Sequence, residues 1–292
     1  MMNNIKWLEL TFAQITPIHI GKYNYGVISE SRIFIPGFTM WGALVNAYGL
    51  KNGATDEIYT DAKKKFEYTT CFYPVLNGDI YFPKFCAGQL FYASCSNEKR
   101  YSEQEIKVTF TDTCVSTAVS PANKAARDES LHEIEVFLNR SKYNTNICGI
   151  NNINQVYWRG LIGLRDSSYR NFLCKGLEII VGGDVKYGLG RLRLESIKEI
   201  GKSELEAWNM NKNGYFRNNG NSVANYVDVR GAKLLKGKVE TVVQLDYTKA
   251  IPEGIKDKDE EAFSLCFVPG SIVSEKNGSL LKLKKGVFRI SN

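Results

Sequence analysis

Residues 5–15, "IKWLELTFAQI", alternate apolar and polar side chains and predict a first β-strand. A polar, aromatic loop, "TPIHIGKYNYG", is expected next, then a short strand, "RIFI", running into Pro36-Gly37. Met40, Ala43, Leu44 and Ala47 recur at helical spacing. A helix is therefore expected from Phe38 or Thr39, with Thr39 as its N-cap. Residues 57–70 predict a short charged helix with Lys63, Lys64 and Lys65 on a solvated face. "CFYPVLNGDIYFPKF" holds two β-like pieces around Asn77-Gly78, a hairpin signal. Residues 104–112, "QEIKVTFTD", alternate as a strand.

The segment 113–137, "TCVSTAVSPANKAARDESLHEIEVF", begins small and polar. It ends as an alternating strand with Leu131, Ile134 and Val136 as inward candidates, so an extended hairpin or thumb-like loop is expected. "VYWRGLIGL" predicts a strand over 156–164, and a short helix is expected over 166–176. "GLEIIVGG" and "RLRLESIKEI" predict strands on either side of a glycine-rich loop. Residues 201–222 are rich in Asn and Gly and are expected to form a boundary or linker. Beyond them "VANYVDVR", "GKVETVVQL", "SLCFVPGSIV" and "KKGVFRI" predict short strands. Many strands and few helices indicate an α+β fold, not a doubly wound sheet. The expected division is a first domain at 1–200 and a small β-rich subdomain at 201–292.

The chain has 292 residues, 43% of them hydrophobic, enough for a sizeable core. A net charge of +7 favours a polyanionic partner. The 16 tyrosines, where they neighbour lysines, offer stacking platforms for bases. Seven cysteines, at 71, 86, 95, 114, 148, 174 and 266, form no C-x-x-C pair, so neither a zinc site nor any other cofactor is expected. They suit buried thiols in a reducing compartment. The N-terminus lacks the apolar region of a signal peptide, and no apolar run reaches the ~18 residues of a membrane span. A soluble, cytoplasmic protein with no membrane partner is expected.

Candidate chemistry concentrates in "IVGGDVKYGLGRLRLES", residues 180–196. Gly182, Gly183, Gly188 and Gly190 stand among Lys186, Tyr187 and Arg191. Glycine lets a ligand approach the main chain, and the cations suggest an anionic one. The stretch is not a Walker loop, because Leu189 and Gly190 stand where Lys and Ser/Thr are needed. It is not a dinucleotide fingerprint either, because Gly188-Leu189-Gly190 lacks the third glycine and leads into a strand. Spacing alone leaves two readings, an anion-binding loop and a plain turn before a strand. A second candidate anion site is the helix N-terminus after Pro36-Gly37.

Three stretches resemble one family in order and spacing. "FIPGFTMWGAL" resembles the signature I-P-G-S-S-L-[K/R]-G-A-[L/I]. "VSPANKAARDESLHEIEV" resembles the thumb-to-strand passage T-x-x-A-x-x-x-x-L-[F/Y]-x-x-E. "GGDVKYGLGRLRL" resembles the glycine-rich loop [I/L]-G-G-x-[K/R]-x-x-G-[F/L]-G-R-[V/L]. The pattern is that of the RAMP superfamily of CRISPR effector proteins and covers roughly residues 5–200. The resemblance implies a ferredoxin-like, RRM-type core with a glycine-rich loop and a long thumb-like insertion. It also implies CRISPR RNA as the anionic ligand and a neighbouring RAMP backbone subunit as partner.

Carried over, the RNA-binding set is Lys22 and Tyr23 on the first loop, then Gly37, Phe38, Thr39 and Trp41 at the helix start. Lys124 and Arg127 follow on the thumb, and Gly183, Lys186, Tyr187, Gly188, Gly190 and Arg191 on the glycine loop. Phe38-Thr39-Met40-Trp41 departs from the family's small and basic residues, and Trp41 suits the core better than a base. The repeated backbone subunit usually carries an acidic residue in an early loop, for which Glu30 lacks matching context. The repeat-processing endoribonuclease uses an early His, and His19 in "TPIHIG" is the candidate, although that ending also belongs to non-catalytic members. The single-copy cap on the 5′ repeat-derived tag, as in type III-D-like or type VII systems, fits one RAMP module with a C-terminal extension best. The expectation is thus a non-catalytic cap. An endoribonuclease using His19 and a repeated backbone subunit are the alternatives.

Overall fold

The computed structural model describes residues 5–96, 99–122, 124–142, 150, 152–166, 171–244, 263–276 and 278–291. Strand β1 (Lys6–Gln14) sits inside the main sheet, antiparallel to β11 (Tyr157–Leu164) on one side and to β13 (Arg191–Glu199) on the other. Beyond β13 lies β12 (Glu178–Ile180). Beyond β11 come β5 (Tyr73–Leu76), β6 (Asp79–Cys86), β7 (Gln89–Ser94) and β8 (Arg100–Ser102), while β4 (Tyr68–Thr69) pairs with the far end of β11. Asn77 and Gly78 form the β5–β6 turn with positive φ, as the hairpin signal predicts.

The period of two in β1 decides what its faces cover. Leu8, Leu10 and Phe12 lie in one core with Met40 and Leu44 of α1 (Gly37–Lys51). Trp7, one residue out of phase, enters a second core with Trp208, Tyr226 and Phe288. Helix α2 (Asp56–Lys65) packs along α1, and its N-cap Thr55 accepts from the Ile58 N–H. A second sheet runs β2 (Gly21–Tyr25), β3 (Ile28–Ser31), β10 (His132–Phe137), β9 (Thr111–Ser116). Residues 117–122 and 124–131 prolong the β9–β10 hairpin, with a bridge between Val119 and Ala126. A third sheet runs β16 (Val239–Val243), β17 (Phe263–Phe267), β14 (Tyr226–Asp228), β20 (Val287–Ile290), β19 (Leu281–Lys284). Strands β15 (Ala232–Lys236) and β18 (Ile272–Glu275) pair beside it. The fold is mixed, strand-rich and poor in helices, as expected. No helix among the described residues is long and apolar enough to cross a membrane.

Several local expectations are corrected. The run 104–112 is not a strand: Glu103–Phe110 is helix α3, opened by a capping box in which Ser102 and Glu105 satisfy each other's backbone N–H groups. The loop "TPIHIGKYNYG" contains β2, and "RIFI" reduces to one bridge between Ile35 and Phe72. Helix α1 starts at Gly37 behind Pro36, so Thr39 lies inside it and its N–H donates to the Pro36 carbonyl. No α-helix covers the described part of 166–176, and 167–170 lie outside the described residues. The stretch 201–222 includes helix α4 (Lys202–Glu206) and buries Leu205, Trp208 and Met210, so it is packed and not an open linker. Cys71 and Cys266 are buried, and burial pushes both thiols up to about 12. Cys95, Cys114 and Cys174, against expectation, are exposed, and Cys148 lies outside the described residues.

Residues late in the chain join the early ones through backbone. A Cβ on Gly37 would stand 2.4 Å from the Gly286 Cα, and one on Gly286, at φ +76°, 2.6 Å from the Gly37 Cα. The Lys285 N–H donates to the Glu67 carbonyl, the Asn225 side chain accepts from the Cys71 N–H, and the Tyr73 hydroxyl donates to the Ala224 carbonyl. A second tie is a chain of half-buried charges. Lys22 bonds Glu30 at 3.2 Å and Glu103 at 2.8 Å, and Lys107 bonds Glu30 at 2.5 Å and Glu135 at 2.8 Å. It joins β2, β3 and β10 to α3. Burial alone would raise the Glu30 carboxyl, but its bond to Lys107 and the charges of Lys22 and Lys107 hold it below its usual range. Burial would lower Lys22, but Glu103 and Glu30 hold it above its own.

Gly37→Ala and Gly286→Ala should each destabilise the fold by about 1–3 kcal/mol in urea unfolding. Gly42→Ala on the same helix meets open space and should stabilise by about 0.5–1 kcal/mol. Equal effects at all three positions would contradict the close approach. The charge chain sets a pH dependence. The depressed Glu30 contributes stability above its unfolded value of about 4.3, lost as pH falls through its lower folded value. The raised Lys22 contributes below about 10.4, lost as pH rises through its higher folded value. Glu30→Gln should therefore lower stability at pH 7 by about 1–3 kcal/mol and flatten its fall as pH drops below the ordinary carboxylate value of about 4.3. An unchanged acid limb in that variant refutes the assignment.

Candidate RNA-binding groove

Four segments from the early, middle and late chain meet at one groove of about 840 Å³. Gly21, Lys22 and Tyr23 of β2 line it, with Pro36, Phe38 and Thr39 at the start of α1, Gly182 and Gly183 of the glycine loop, and β16. Of the sequence-derived set, Lys22, Tyr23, Phe38, Thr39 and Gly183 are brought together here.

The glycine loop takes its place through the backbone. The Gly183 N–H donates to the His19 carbonyl, and the Gly190 N–H to the Pro17 carbonyl. The loop therefore lies on the end of β1 and the turn after it. Gly182 and Gly190 have φ near +84° and +85°. A Cβ on Gly182 would stand 2.2 Å from the His19 carbonyl oxygen, and one on Gly190 2.0 Å from that of Val181. Gly190 is buried, so its glycine is demanded by the neighbouring strand and not by a ligand. Gly37 is buried too, behind the groove and against Gly286. Gly188, at φ +82°, faces open space and ends a single 3-10 turn, Val185–Tyr187. Lys186 and Tyr187 on that turn are exposed, Tyr187 to 74%.

The remaining predicted residues have other surroundings. The half-buried Trp41 donates its indole N–H to the Lys63 carbonyl and packs against the first core, so it joins α1 to α2. Arg191 is exposed and ion-paired with Glu178 at 2.8 Å. Lys124 and Arg127 stand exposed on the β9–β10 hairpin and do not line the groove. Lys22 is engaged by two carboxylates and stands over the Tyr23 ring. Tyr23 and Tyr25, 46% and 63% exposed, present ring surface beside it.

Sequence reasoning missed Arg32 and the whole β16 wall. The Arg32 guanidinium holds both Glu240 carboxylate oxygens and donates to the Tyr226 hydroxyl, 3.3 Å away. Its position just before "IFIPG" was visible, but its partner lies more than 200 residues later. His19 is 6% exposed beneath the loop. Its Nδ1 lies 2.8 Å from the Glu135 carbonyl oxygen and its Nε2 3.3 Å from the Ser29 hydroxyl. His132 lies on β10, its Nε2 2.7 Å from the Ser116 hydroxyl.

No protein-family model matches the chain, and no curated protein sequence matches it. Among solved structures, a chain of the Type III-B Cmr-beta complex bound to cognate target RNA and AMPPnP is similar over 97% of this chain and 99% of its own. It has 12% identity and a TM-score of 0.58. A chain of Cmr-beta bound to cognate target RNA gives 11% identity over the same shares, also at 0.58. A chain of the Csm3-Csm4 subcomplex of the type III-A CRISPR-Cas interference complex covers 98% and 99% at 13% identity, with a TM-score of only 0.46. The fold likeness rests on the two Cmr-beta chains: over nearly its whole length the chain has the fold of a chain of the Type III-B Cmr-beta complex.

Proposed function

We propose that the chain is a non-catalytic RNA-binding subunit that caps the 5′ repeat-derived tag of CRISPR RNA, next to a backbone subunit of a cytoplasmic, antiviral effector complex. In this reading β1, β11, β13 and α1 are the ferredoxin-like core, and the β9–β10 hairpin is the thumb that parts tag from guide. One observation carries the proposal. The α1 start and the glycine loop, each matched separately to a family motif, line a single groove together with the first hairpin. The N-terminal end of α1 offers backbone donors to phosphates, and Tyr23, Tyr25 and Tyr187 offer rings to splayed bases. RNA is the shared ligand of the two Cmr-beta complexes that contain a chain of this fold. The endoribonuclease alternative has less support, because both ring nitrogens of the buried His19 already have partners.

Binding of a single-stranded repeat-derived RNA should fall steeply with salt. About five neutralised phosphates give a slope of log K against log[salt] near −3.5. A flat response refutes the RNA reading. Lys186→Ala should lower that slope by about 0.7 without changing the melting temperature, whereas an unchanged slope makes the glycine loop a plain turn. Gly190→Ala should unfold the loop's contact with Val181 and lower stability, whether or not RNA is present. His19→Ala should leave RNA processing in a reconstituted complex unchanged, and loss of cleavage with binding intact would favour the endoribonuclease.

A further inference from the structure

Beside the groove the fold encloses a smaller cavity of about 120 Å³. Lys22, Tyr23, Arg32, Val239 and Glu240 line both, so the two meet along one rim. The inner walls are apolar and aromatic: Phe34, Phe85 and Tyr92 are buried, and Leu90 is half-buried among them. Phe85, Leu90 and Tyr92 belong to none of the three family-like motifs. Tyr92 is 1% exposed, yet its hydroxyl has no hydrogen-bond partner among the described residues. The buried hydroxyls of Tyr73 and Tyr226 both have one. Burial pushes the Tyr92 phenol well above its usual range, the Glu103 charge adds to the rise, and Arg32 opposes it. Both charged groups line the cavity, so the hydroxyl end of the ring is turned toward its polar rim. Glu103 bonds Lys22 through Oε1, which leaves Oε2 as a further acceptor. Strand β16 adds main chain. The Lys238 carbonyl accepts from the Val268 N–H, on the β17 side. Main-chain groups alternate between the two edges of a strand, so those of Val239 point to the other edge, which no strand pairs among the described residues.

We propose that this cavity takes one unstacked nucleobase of the RNA strand in the groove and reads its hydrogen-bonding edge. The inference rests on the function proposed above. Three features select a base. The cavity has room for a single ring system, and its aromatic walls suit a planar face. A few polar groups stand among apolar walls, the arrangement that orients a ligand held mainly by apolar contact. An apolar side chain from a partner protein would leave the Tyr92 hydroxyl unpaired, whereas a base brings donors and acceptors together. The second Glu103 oxygen is an acceptor only, so it favours a base with an exocyclic amine over uracil. The Lys22–Glu103 and Arg32–Glu240 pairs brace the rim, which keeps the opening formed before RNA arrives. Groove and cavity divide the work: the groove takes the backbone, and the cavity supplies sequence preference.

The test uses a repeat-derived RNA of about 8 nucleotides, within the site size of one fold, and copies of it made abasic at each position in turn. With the wild-type chain, one position should stand out, where loss of the base weakens binding at least about fivefold. Uracil at that position should bind more weakly than adenine or cytosine. Tyr92→Phe removes the hydroxyl alone. It should weaken the intact RNA roughly 3- to 10-fold, add nothing to the loss at that abasic position, and leave the salt slope unchanged. Its melting temperature should hold or rise, because an unpaired buried hydroxyl is gone. Leu90→Phe, which fills the cavity, should bind the intact RNA and that abasic copy alike, with its folding checked by a melting curve. If loss of the base costs the same at every position, or Tyr92→Phe binds the intact RNA like wild type, the base site is refuted while the groove stands. It is refuted in the same way if Leu90→Phe keeps the wild-type RNA profile but loses a protein partner of the complex. If the wild-type chain binds none of these RNAs, the proposed function itself fails, and the base site with it.

Discussion

Everything on the groove side of the molecule depends on two glycines that touch. Gly37 opens α1 and Gly286 closes the β19–β20 turn, and no side chain separates their backbones. This contact lets the Gly286 carbonyl accept from the Tyr226 N–H while Lys285 bonds Glu67. It thereby fixes the third sheet relative to α1. With that sheet in place, Tyr226 and Glu240 reach Arg32, and β16 becomes a wall of the groove. A methyl group at either glycine would push two layers apart, not merely crowd a cavity. The same device recurs at the glycine loop, where Gly182 and Gly190 lie against the carbonyls of His19 and Val181. Close backbone approach is thus the common reason for glycines that a sequence reader assigns to a ligand.

The charges follow a similar division. Those near the groove are half-buried and committed to one another, so they determine where β2, β3, β10, α3 and β16 sit. Pairs of this kind gain little net stability over apolar packing, but they penalise misplacement strongly, because a stranded charge is expensive. Lys282 and Lys285 instead stand over aromatic rings, Lys282 over Tyr68 and Tyr215 and Lys285 over Trp41.

Period and turn chemistry made much of the main sheet legible. The strands β1, β11 and β13, helices α1 and α2, and the Asn77-Gly78 hairpin all followed from side-chain spacing. The stretch "QEIKVTF" defeated that method, because its few apolar positions fit a period of two as well as one near four. The deciding signal was Ser102 with Glu105, a capping box that marks a helix start. The first hairpin escaped because β2 is an edge strand, mostly exposed, with no buried face to impose alternation. At the site, motif spacing pointed to the right segments, yet Arg32 and Glu240 became a pair only through tertiary structure.

The place of β1 in the middle of its sheet also governs how the chain is made. Both of its neighbours come late: β11 starts at Tyr157 and β13 at Arg191. At a synthesis rate of about 5–20 residues per second, the apolar β1 emerges roughly 7–30 seconds before its first partner. Over that interval Leu8, Leu10 and Phe12 have no native strand beside them, and α1 has no sheet to lie on. The nascent chain therefore exposes an incomplete apolar core over that interval. The main sheet cannot close until most of the sequence has been translated.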